Sequence, residues 1–340
     1  MNTKYFNHLL IVVLFLSGLQ QIASAQQAFL NISNYKVFYA SAKGRDTDWF
    51  AIRKFENNGK QYLLLVDPDE LDTKIAEAAA YQLNPMTMEQ ARLYYYKSTY
   101  EKALRKAEKS SKSIQDAGIQ SGMPKEKGIS LTADLCPSHR PLDRRIFTDI
   151  IEQFKTVEQP VPVALSVSGL WMRDHLPDLA WLKDLQAKSQ INVVWINHSY
   201  NHRVSKTLPL KENFLLQPGT DMNYEVLETE KSMLKNGLLP SVFFRFPGLV
   251  SDQQLIYQIT AFGLIPIGSD AWLAKGQQPQ AGSIVLIHGN GNEPVGVNDF
   301  IKLLKAKTKS IAKKQWLLYD LRESVEGEMK LDSPESRKSQ

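Results

Sequence analysis

The stretch GISLTADLCP, residues 128–137, opens the part of the chain whose pattern decides the fold. Its apolar run, 129–133, has the length of a buried strand and is followed by an aspartate. Further apolar runs occupy 161–167, 191–196, 242–244, 264–267, 284–287 and 316–319, and amphipathic stretches lie near 143–156, 175–188, 221–237, 251–262 and 297–313. Such strand–helix alternation is typical of parallel βα units, and seven of them predict a barrel-like closure rather than a large open sheet.

The chain begins with a segment that resembles a secretory signal. Residues 1–25 contain Lys4, the short apolar run LLIVVLFL and the small residues Ala23-Ser24-Ala25, in the order that a cleavable signal requires. We therefore expect a periplasmic or secreted protein with no membrane span after cleavage, because the apolar run is too short to cross a bilayer comfortably. An uncleaved N-terminal anchor is the alternative for this segment.

Residues 26–120 are predicted to form a small N-terminal α+β module that ends in a polar linker. Its strand-like runs, joined by turn signals, are 35–40, 49–55 and 61–66. The Ala-rich residues 70–83 look helical, and a second helix is expected from the capping box of Thr87 and Gln90 to about residue 112. The Leu and Tyr stripe of this second helix is expected to pack, with sugar binding as the alternative.

The charge pattern argues against a nucleic-acid-binding protein, and the cysteine content argues against a disulfide-stabilised fold. The formal net charge is +5, and no dense Lys/Arg stripe interleaved with aromatic residues occurs, so nucleic acid is not an expected partner. Cys136 is the only cysteine, so no intrachain disulfide can form and the fold must rest on its core. At the C-terminal end, residues 323–340 are polar and charged and are predicted to be a loose tail.

Ionisable side chains recur directly after the apolar runs. In βα barrels the carboxyl ends of the strands converge on one face, where active sites are built, so we expect these residues to meet. They are Asp134, His198, His202, Arg245, Asp270 and His288.

The histidines His198 and His202 are four residues apart, a spacing that would place both on one face of a helical turn. Two imidazoles there could hold one metal ion, most simply Zn²⁺, if a carboxylate such as Asp134 supplies a third ligand. A zinc protease would have glutamate after the first histidine, where this chain has Ser199. Two unrelated surface histidines are the alternative. His288, alone after its apolar run, is a candidate general acid or else a core histidine.

Together these segments resemble the motifs of the NodB-homology polysaccharide deacetylases, carbohydrate esterase family 4, over about residues 128–320. The family's first motif, Thr-Phe-Asp-Asp-Gly-Pro, is matched by Thr132-Ala133-Asp134-Leu135-Cys136-Pro137. The later motifs, in the same order, are matched by His198 to His202, Arg245-Phe246-Pro247, Asp270-Ala271-Trp272 and Val285-Leu286-Ile287-His288.

The resemblance implies a distorted (β/α)7 barrel of the NodB type over residues 128–322. It also implies a role for each matched residue. Asp134 would be the catalytic base oriented by Arg245, and His288 would be the acid tuned by Asp270. Trp272, Leu286 and Pro247 would line the substrate's acetyl group. His198 and His202 would bind the metal.

One departure from the family concerns its second aspartate, a metal ligand, which is replaced here by Leu135. Three substitutes are expected to be possible: Asp134 itself, Asp143, or water. Cys136 is close enough in sequence to ligate zinc, although a buried loop thiol is the simpler expectation.

The function expected from these residues is removal of N-linked acetyl groups from an N-acetylated glycan of the cell wall or an exopolysaccharide. The alternatives are a catalytically weak, sugar-binding relative and a deacylase of a small amide or imide. The sequence does not predict the sugar, the oligomeric state or a protein partner.

Overall fold

The computed structural model describes residues 28–44, 48–110, 114–122 and 127–331. The predicted signal segment and the end of the predicted tail lie outside these residues. In the described part of the chain, no helix combines the length and the apolar character needed to span a bilayer.

An antiparallel sheet forms the N-terminal part of the structure. Its strands are β1 (Ile32–Lys43), β2 (Asp48–Asn57), β3 (Lys60–Val66), β4 (Thr73–Glu77) and β5 (Gln82–Pro85), in the order β4-β3-β2-β1-β5. Two helices follow, α1 (Met88–Tyr94) and α2 (Thr99–Lys109). The three strands expected from the sequence are thus confirmed as β1, β2 and β3.

The Ala-rich segment 70–83 is not helical, so that prediction is wrong. It forms β4, a single 3-10 turn at Ala78–Ala80 and the start of β5. Ile75 of β4 pairs with Leu64 of β3, and β5 pairs with β1 at the other side of the sheet. The hydrogen bonds of these two pairings outweigh the helical preference of alanine.

The second predicted helix is divided into α1 and α2. Ser98 caps α2 by accepting a hydrogen bond from the Glu101 backbone N–H. The Leu and Tyr stripe of the predicted helix was expected to pack against the protein. This is confirmed in α2, where Tyr100, Leu104 and Ala107 are buried. On α1 and the turn after it, Leu93 and Tyr96 are 73% and 55% exposed and do not belong to the core.

The larger sheet contains seven strands: β6 (Ser130–Leu135), β7 (Val161–Val167), β8 (Ile191–Asn197), β9 (Pro240–Phe244), β10 (Ile265–Pro266), β11 (Ala271–Trp272) and β12 (Ile284–His288). Their order is β10-β9-β8-β7-β6-β12-β11, and every pairing is parallel. The fold class predicted from the sequence, a distorted (β/α)7 barrel with a small N-terminal α+β module, is confirmed, and the seven parallel strands form a half-barrel.

Seven helices accompany this sheet in the described residues, and they cover the amphipathic stretches of the sequence. They are α3 (Arg145–Phe154), α4 (Gly169–Asp174), α5 (Leu176–Ala187), α6 (Thr229–Lys235), α7 (Gln253–Ala261), α8 (Pro294–Ala312) and α9 (Leu321–Leu331). A π-helical segment, Tyr224–Glu228, leads into α6.

The identity of the seventh strand differs from the prediction. The apolar run 316–319 makes only an isolated bridge, between Leu318 and Ile129. The seventh strand is instead β11, whose two residues pair with Val285 and Leu286 of β12. A strand of this length is too short to produce a recognisable apolar run.

The chain beyond residue 320 is also more ordered than the sequence indicated. Helix α9 buries Leu321, Val325 and Met329, which recur every four residues and join the main core. The expectation of a loose tail from residue 323 is therefore wrong as far as Leu331.

The two sheets share one apolar core. Phe50 and Leu64 of the N-terminal sheet belong to the same buried cluster as Ile196, Val242 and the residues around them in the parallel sheet. The segment 114–122, expected to be a linker, runs along the parallel sheet and buries Ile119, which bridges to Ile267. The N-terminal part thus packs directly on the half-barrel.

Candidate metal centre

The side chains at the end of β6 alternate between the core and the open end of the half-barrel. Ala133 and Leu135 belong to the apolar cluster beneath α3, whereas Asp134 and Cys136 both approach His198. This is the two-residue period of an extended strand. Leu135, with no measurable exposure, therefore faces the core and leaves no gap at the site.

His198 and His202 come together in an irregular loop and not on a helical turn. Ser199 and His202 have left-handed backbone conformations, with φ of 63° and 47°. The imidazole centroids nevertheless lie 4.8 Å apart. The structure thus brings the two imidazoles together as expected, but through a loop and not through the helical turn that the spacing suggested.

A buried carboxylate organises this histidine loop. Glu225, in the π-helical segment, accepts hydrogen bonds from the backbone N–H groups of Tyr200 and Asn201, each at 2.9 Å. Its other oxygen accepts from the side-chain amide of Asn201 at 2.7 Å. Insertions of π-helix often occur at functional sites, and here one aims a carboxylate at the loop that carries both imidazoles.

A three-residue group of potential metal ligands lies at this end of the sheet. Among the residues that the structure describes, Cys136, His198 and His202 are the group whose ligand atoms all lie within 4.8 Å of one another. Asp134 and Asp143, the ligands considered from the sequence, are not members. Asp143 instead forms an ion pair with Arg145, at 2.6 Å. The third ligand offered by the structure is the Cys136 thiol.

The geometry of this group fits a metal ion. The Nδ1 atom of His198 donates to the Arg245 carbonyl at 2.8 Å, which leaves the Nε2 lone pair facing the Cys136 sulfur, 3.5 Å away. Around tetrahedral zinc, sulfur and nitrogen ligands are about 3.6 Å apart, given bonds of ~2.3 and ~2.05 Å. The Nε2 atom of His202 is buried and has no hydrogen-bond partner among the described residues, as expected of a ligand atom.

The charges around the Cys136 thiol favour its ionised form. Burial alone would raise the pKa of this thiol, but the charges of His202 and His288 and the close approach of the His198 and His202 imidazoles lower that pKa well below its usual value. For His198, burial would lower the pKa, but the charges of Asp134 and Cys136 raise it. A thiolate and an imidazole are the donor types that zinc prefers.

Asp134 is held beside this group by a buried arginine. Its Oδ2 lies 3.6 Å from Nε2 of His198, and its Oδ1 lies 3.7 Å from Nη1 of Arg245. Arg245 is fixed by donating through Nη2 to the hydroxyl of Thr132, at 3.0 Å. Burial would raise the pKa of Asp134, but the charges of Arg245, His198 and His288 lower it. The side chain is therefore a carboxylate, and its Oδ1 has no hydrogen-bond partner among the described residues.

His288 lies next to Asp134, because the two residues are register partners on the neighbouring strands β6 and β12. Its Nδ1 atom is 2.8 Å from Oε2 of Glu293, an ion-pair contact that is not aligned as a hydrogen bond. Burial would lower the pKa of this imidazole, but the charge of Cys136 and contacts with Cys136 and Glu293 raise it well above its usual value.

Asp270 does not contact His288, so the expected pairing of these two residues is wrong. Its carboxylate accepts hydrogen bonds from the Ser283 hydroxyl and the Ile284 N–H, both at 3.1 Å. Ile284 begins β12 and His288 ends it, which separates them by about 13 Å of extended chain. Asp270 precedes β11 instead of following a strand, and this places it at the opposite end of the sheet.

The apolar residues proposed to line the substrate form a small cluster beside His288. Trp272 and Leu286 pack with Leu249, and Pro247 begins the short turn that carries Leu249. The Trp272 ring lies 5.6 Å from the His288 ring, at an interplanar angle of 37°. Leu286 has no measurable exposure, so Trp272, at 7%, is the member nearer to the surface.

Comparison with known proteins gives one family match and several structural likenesses. Residues 33–101 match the model of the RP012 protein N-terminal domain. This match covers β1 to β5, α1 and the start of α2.

The structural likenesses cover the larger part of the chain. A family 4 carbohydrate esterase from Bacillus anthracis is 18% identical, with 62% of this chain and 88% of that chain covered and a TM-score of 0.43. A pseudoenzyme of the same family from the same organism is 18% identical, with coverage of 63% and 70% and a TM-score of 0.42. The peptidoglycan deacetylase PdaC from Bacillus subtilis is 17% identical, with coverage of 64% and 98% and a TM-score of 0.43.

Proposed function

We propose that this protein is an exported, zinc-dependent deacetylase of the carbohydrate esterase family 4 type. It removes N-linked acetyl groups from an N-acetylhexosamine polysaccharide. The observation that carries the proposal is the convergence, at one end of the parallel sheet, of a buried carboxylate, an imidazole and a potential metal site. These are Asp134 and His288, which are register partners, beside the group of Cys136, His198 and His202. An acid, a base and a cation site within one buried cluster are the groups that amide hydrolysis needs.

Cys136, His198 and His202 would hold the cation. When bound, such a cation supplies Lewis acidity toward a carbonyl oxygen and toward water. The thiolate favours zinc over magnesium, calcium or manganese, which prefer oxygen ligands. Metal analysis of the purified protein by mass spectrometry should give about one zinc per chain. Cys136→Ala should lose most of it, and Cys136→Asp should retain part of it with a weaker preference for zinc.

Asp134 and His288 would divide the proton transfers. Asp134 takes a proton from the water that attacks the acetyl carbon, and Arg245 keeps this carboxylate ionised and in place. His288 donates a proton to the departing amine as the carbon–nitrogen bond breaks, so the products are acetate and a free hexosamine amine. Trp272 would contact the acetyl methyl group, with Leu286 and Leu249 packed behind it and Pro247 beginning the turn that carries Leu249.

The decisive experiment measures acetate release from peptidoglycan, poly-N-acetylglucosamine and chitin oligomers. We expect Asp134→Asn to lower the rate by about 10²- to 10⁴-fold without changing the zinc content, as for removal of a general base. The control is Asp143→Asn, which removes a carboxylate that is paired with Arg145 and is not a member of the metal group. Equal acetate release by the wild type and Asp134→Asn would refute the assignment.

A sugar-binding protein without turnover is the second candidate, favoured by the absence of a carboxylate from the three-residue metal group. The same substrates separate the two functions. Saturable binding of chitin oligomers by the zinc-loaded protein, with no acetate release from any of the three polymers, would establish the second candidate over the first.

Export is proposed from the predicted signal segment, residues 1–25, alone. Sequencing the N-terminus of protein recovered from the periplasm or the medium should show cleavage after Ala25, and retention of Met1 would contradict it.

A further inference from the structure

A single carboxylate oxygen connects the two aromatic rings beside the candidate metal centre. Oε2 of Glu293 lies 2.8 Å from Nδ1 of His288 and accepts a hydrogen bond from Nε1 of Trp272, also at 2.8 Å. This glutamate matches none of the motifs singled out in the sequence. It occupies the position beside His288 that was expected for Asp270.

The loop that carries Glu293 is fastened to the strand that carries Asp134 and Cys136. Gly289 donates its N–H to the Asp134 carbonyl at 3.1 Å. The fully buried Asn290 donates its side-chain amide to the Cys136 carbonyl at 2.7 Å. Pro294 then begins α8, so Glu293 is the residue preceding a 19-residue helix. The backbone of Glu293 is thus placed between α8 and the end of β6.

The contact on Nδ1 decides what the other ring nitrogen of His288 can do. An ionised carboxylate this close to Nδ1 repels a nitrogen lone pair, so it favours the imidazole form that carries hydrogen on Nδ1. Burial would raise the pKa of Glu293, but the contact with His288 and the hydrogen bond from Trp272 lower it, in keeping with an ionised group. With Nδ1 facing Glu293, Nε2 is the nitrogen available for proton exchange with a substrate.

We propose that Glu293 is the positioning residue for His288, and that Trp272 fixes Glu293 in this role. The proposal rests on the proposed function of His288 as the proton donor. It predicts that the orientation and tautomer of His288 depend on Glu293, whereas the metal group of Cys136, His198 and His202 does not.

The test uses the zinc-loaded, full-length protein and the variants Glu293→Ala, Glu293→Gln and Trp272→Phe. Long-range ¹H–¹⁵N NMR should show His288 with hydrogen on Nδ1 in the wild type and a change of its Nδ1 and Nε2 shifts in Glu293→Ala. On an active substrate, Glu293→Ala should lower kcat by about 10- to 100-fold, the usual effect of removing the partner of a functional histidine, with KM within about twofold. Glu293→Gln, which keeps an acceptor oxygen, should lose less.

The matched control is Glu152→Ala, which removes an exposed glutamate paired with Lys155 on α3. It should leave the NMR signals and kinetics of the wild type unchanged. Identical His288 signals in the wild type and Glu293→Ala would overturn the proposal, whether or not any polymer is deacetylated. A fall in kcat with Asp270→Asn and none with Glu293→Ala would also overturn it. Absence of acetate release by the wild type, with the His288 signals still changed by Glu293→Ala, would refute the proposed function alone.

Discussion

Replacing Arg53 by methionine is expected to destabilise the protein strongly, because this residue joins the N-terminal sheet to the half-barrel through a buried ion pair. Its Nε and Nη2 atoms contact the two carboxylate oxygens of Glu230 at 2.7 and 2.9 Å. Its Nη1 atom donates to the carbonyls of Ile52 and Phe262. Neither Arg53 nor Glu230 has measurable side-chain exposure.

The expected loss of unfolding free energy follows from the buried charge of Glu230, which Arg53→Met leaves without its main partner. Among the described residues, Glu230 would keep only the hydroxyl of Tyr35, at 2.9 Å, as a partner for a fully buried negative charge. Removing one partner of a buried pair typically costs about 3–5 kcal/mol of unfolding free energy. The double variant Arg53→Met/Glu230→Met removes both charges and should recover part of this loss, because no unpaired charge remains in the core. The carbonyl of Phe262 would still lack its donor, so full recovery is not expected.

Urea unfolding followed by tryptophan fluorescence measures these differences. The control is Lys155→Met, which breaks the exposed pair with Glu152 and should leave the unfolding midpoint unchanged within error. A loss below about 1 kcal/mol for Arg53→Met would refute the reasoning, since it would mean that the buried carboxylate is readily accommodated without its partner. A double variant less stable than Arg53→Met would also contradict it.

Three further predictions concern the candidate metal centre. Leu135→Asp should lower the unfolding temperature without raising zinc stoichiometry, because this side chain faces the core; a gain in bound zinc would show that it reaches the site. Glu225→Gln should weaken zinc binding about tenfold in a competition assay with a chromophoric chelator, since it loosens the histidine loop; an unchanged affinity would argue against that role. Gly169→Ala should distort the same loop, because an added Cβ would lie 2.1 Å from the ring of Tyr200; a crystal structure with Tyr200 unmoved would refute this.

Much of the half-barrel was predictable because its central strands are long apolar runs with helices between them. Strands such as β7 and β8 are buried along nearly their whole length, and this burial is what the runs record. The elements that the sequence did not predict are either very short or depend on pairing with neighbouring strands. Two-residue β11 leaves no periodic signal, and β4 and β5, on either side of the Ala78–Ala80 turn, are extended because neighbouring strands hydrogen-bond to them.

The candidate site was predictable where its residues directly follow strands. His198 and Arg245 directly follow β8 and β9, Asp134 and His288 lie at the ends of β6 and β12, and the structure brings all four together. Glu293 does not directly follow a strand, because a four-residue loop separates it from β12, and the useful signal was the following proline, which marks a helix start.

Cys136, the third member of the potential metal group, was expected to be a buried loop thiol. In the resemblance to the family's first motif, Leu135 and not Cys136 takes the place of the metal-binding aspartate. The two-residue period of an extended strand places Asp134 and Cys136 on the same side, and that alternation was available in the sequence.

The position of β12 between β6 and β11 has a consequence for how the chain acquires its structure. β6 pairs with β7 on one side, and those residues are near it in sequence, but its other edge is filled only by residues 284–288. Until that late segment docks, the hydrogen-bonding edge of β6 remains open to pairing with other extended segments. We expect a chain shortened before residue 284 to aggregate, and molecular chaperones to engage the growing polypeptide during this interval.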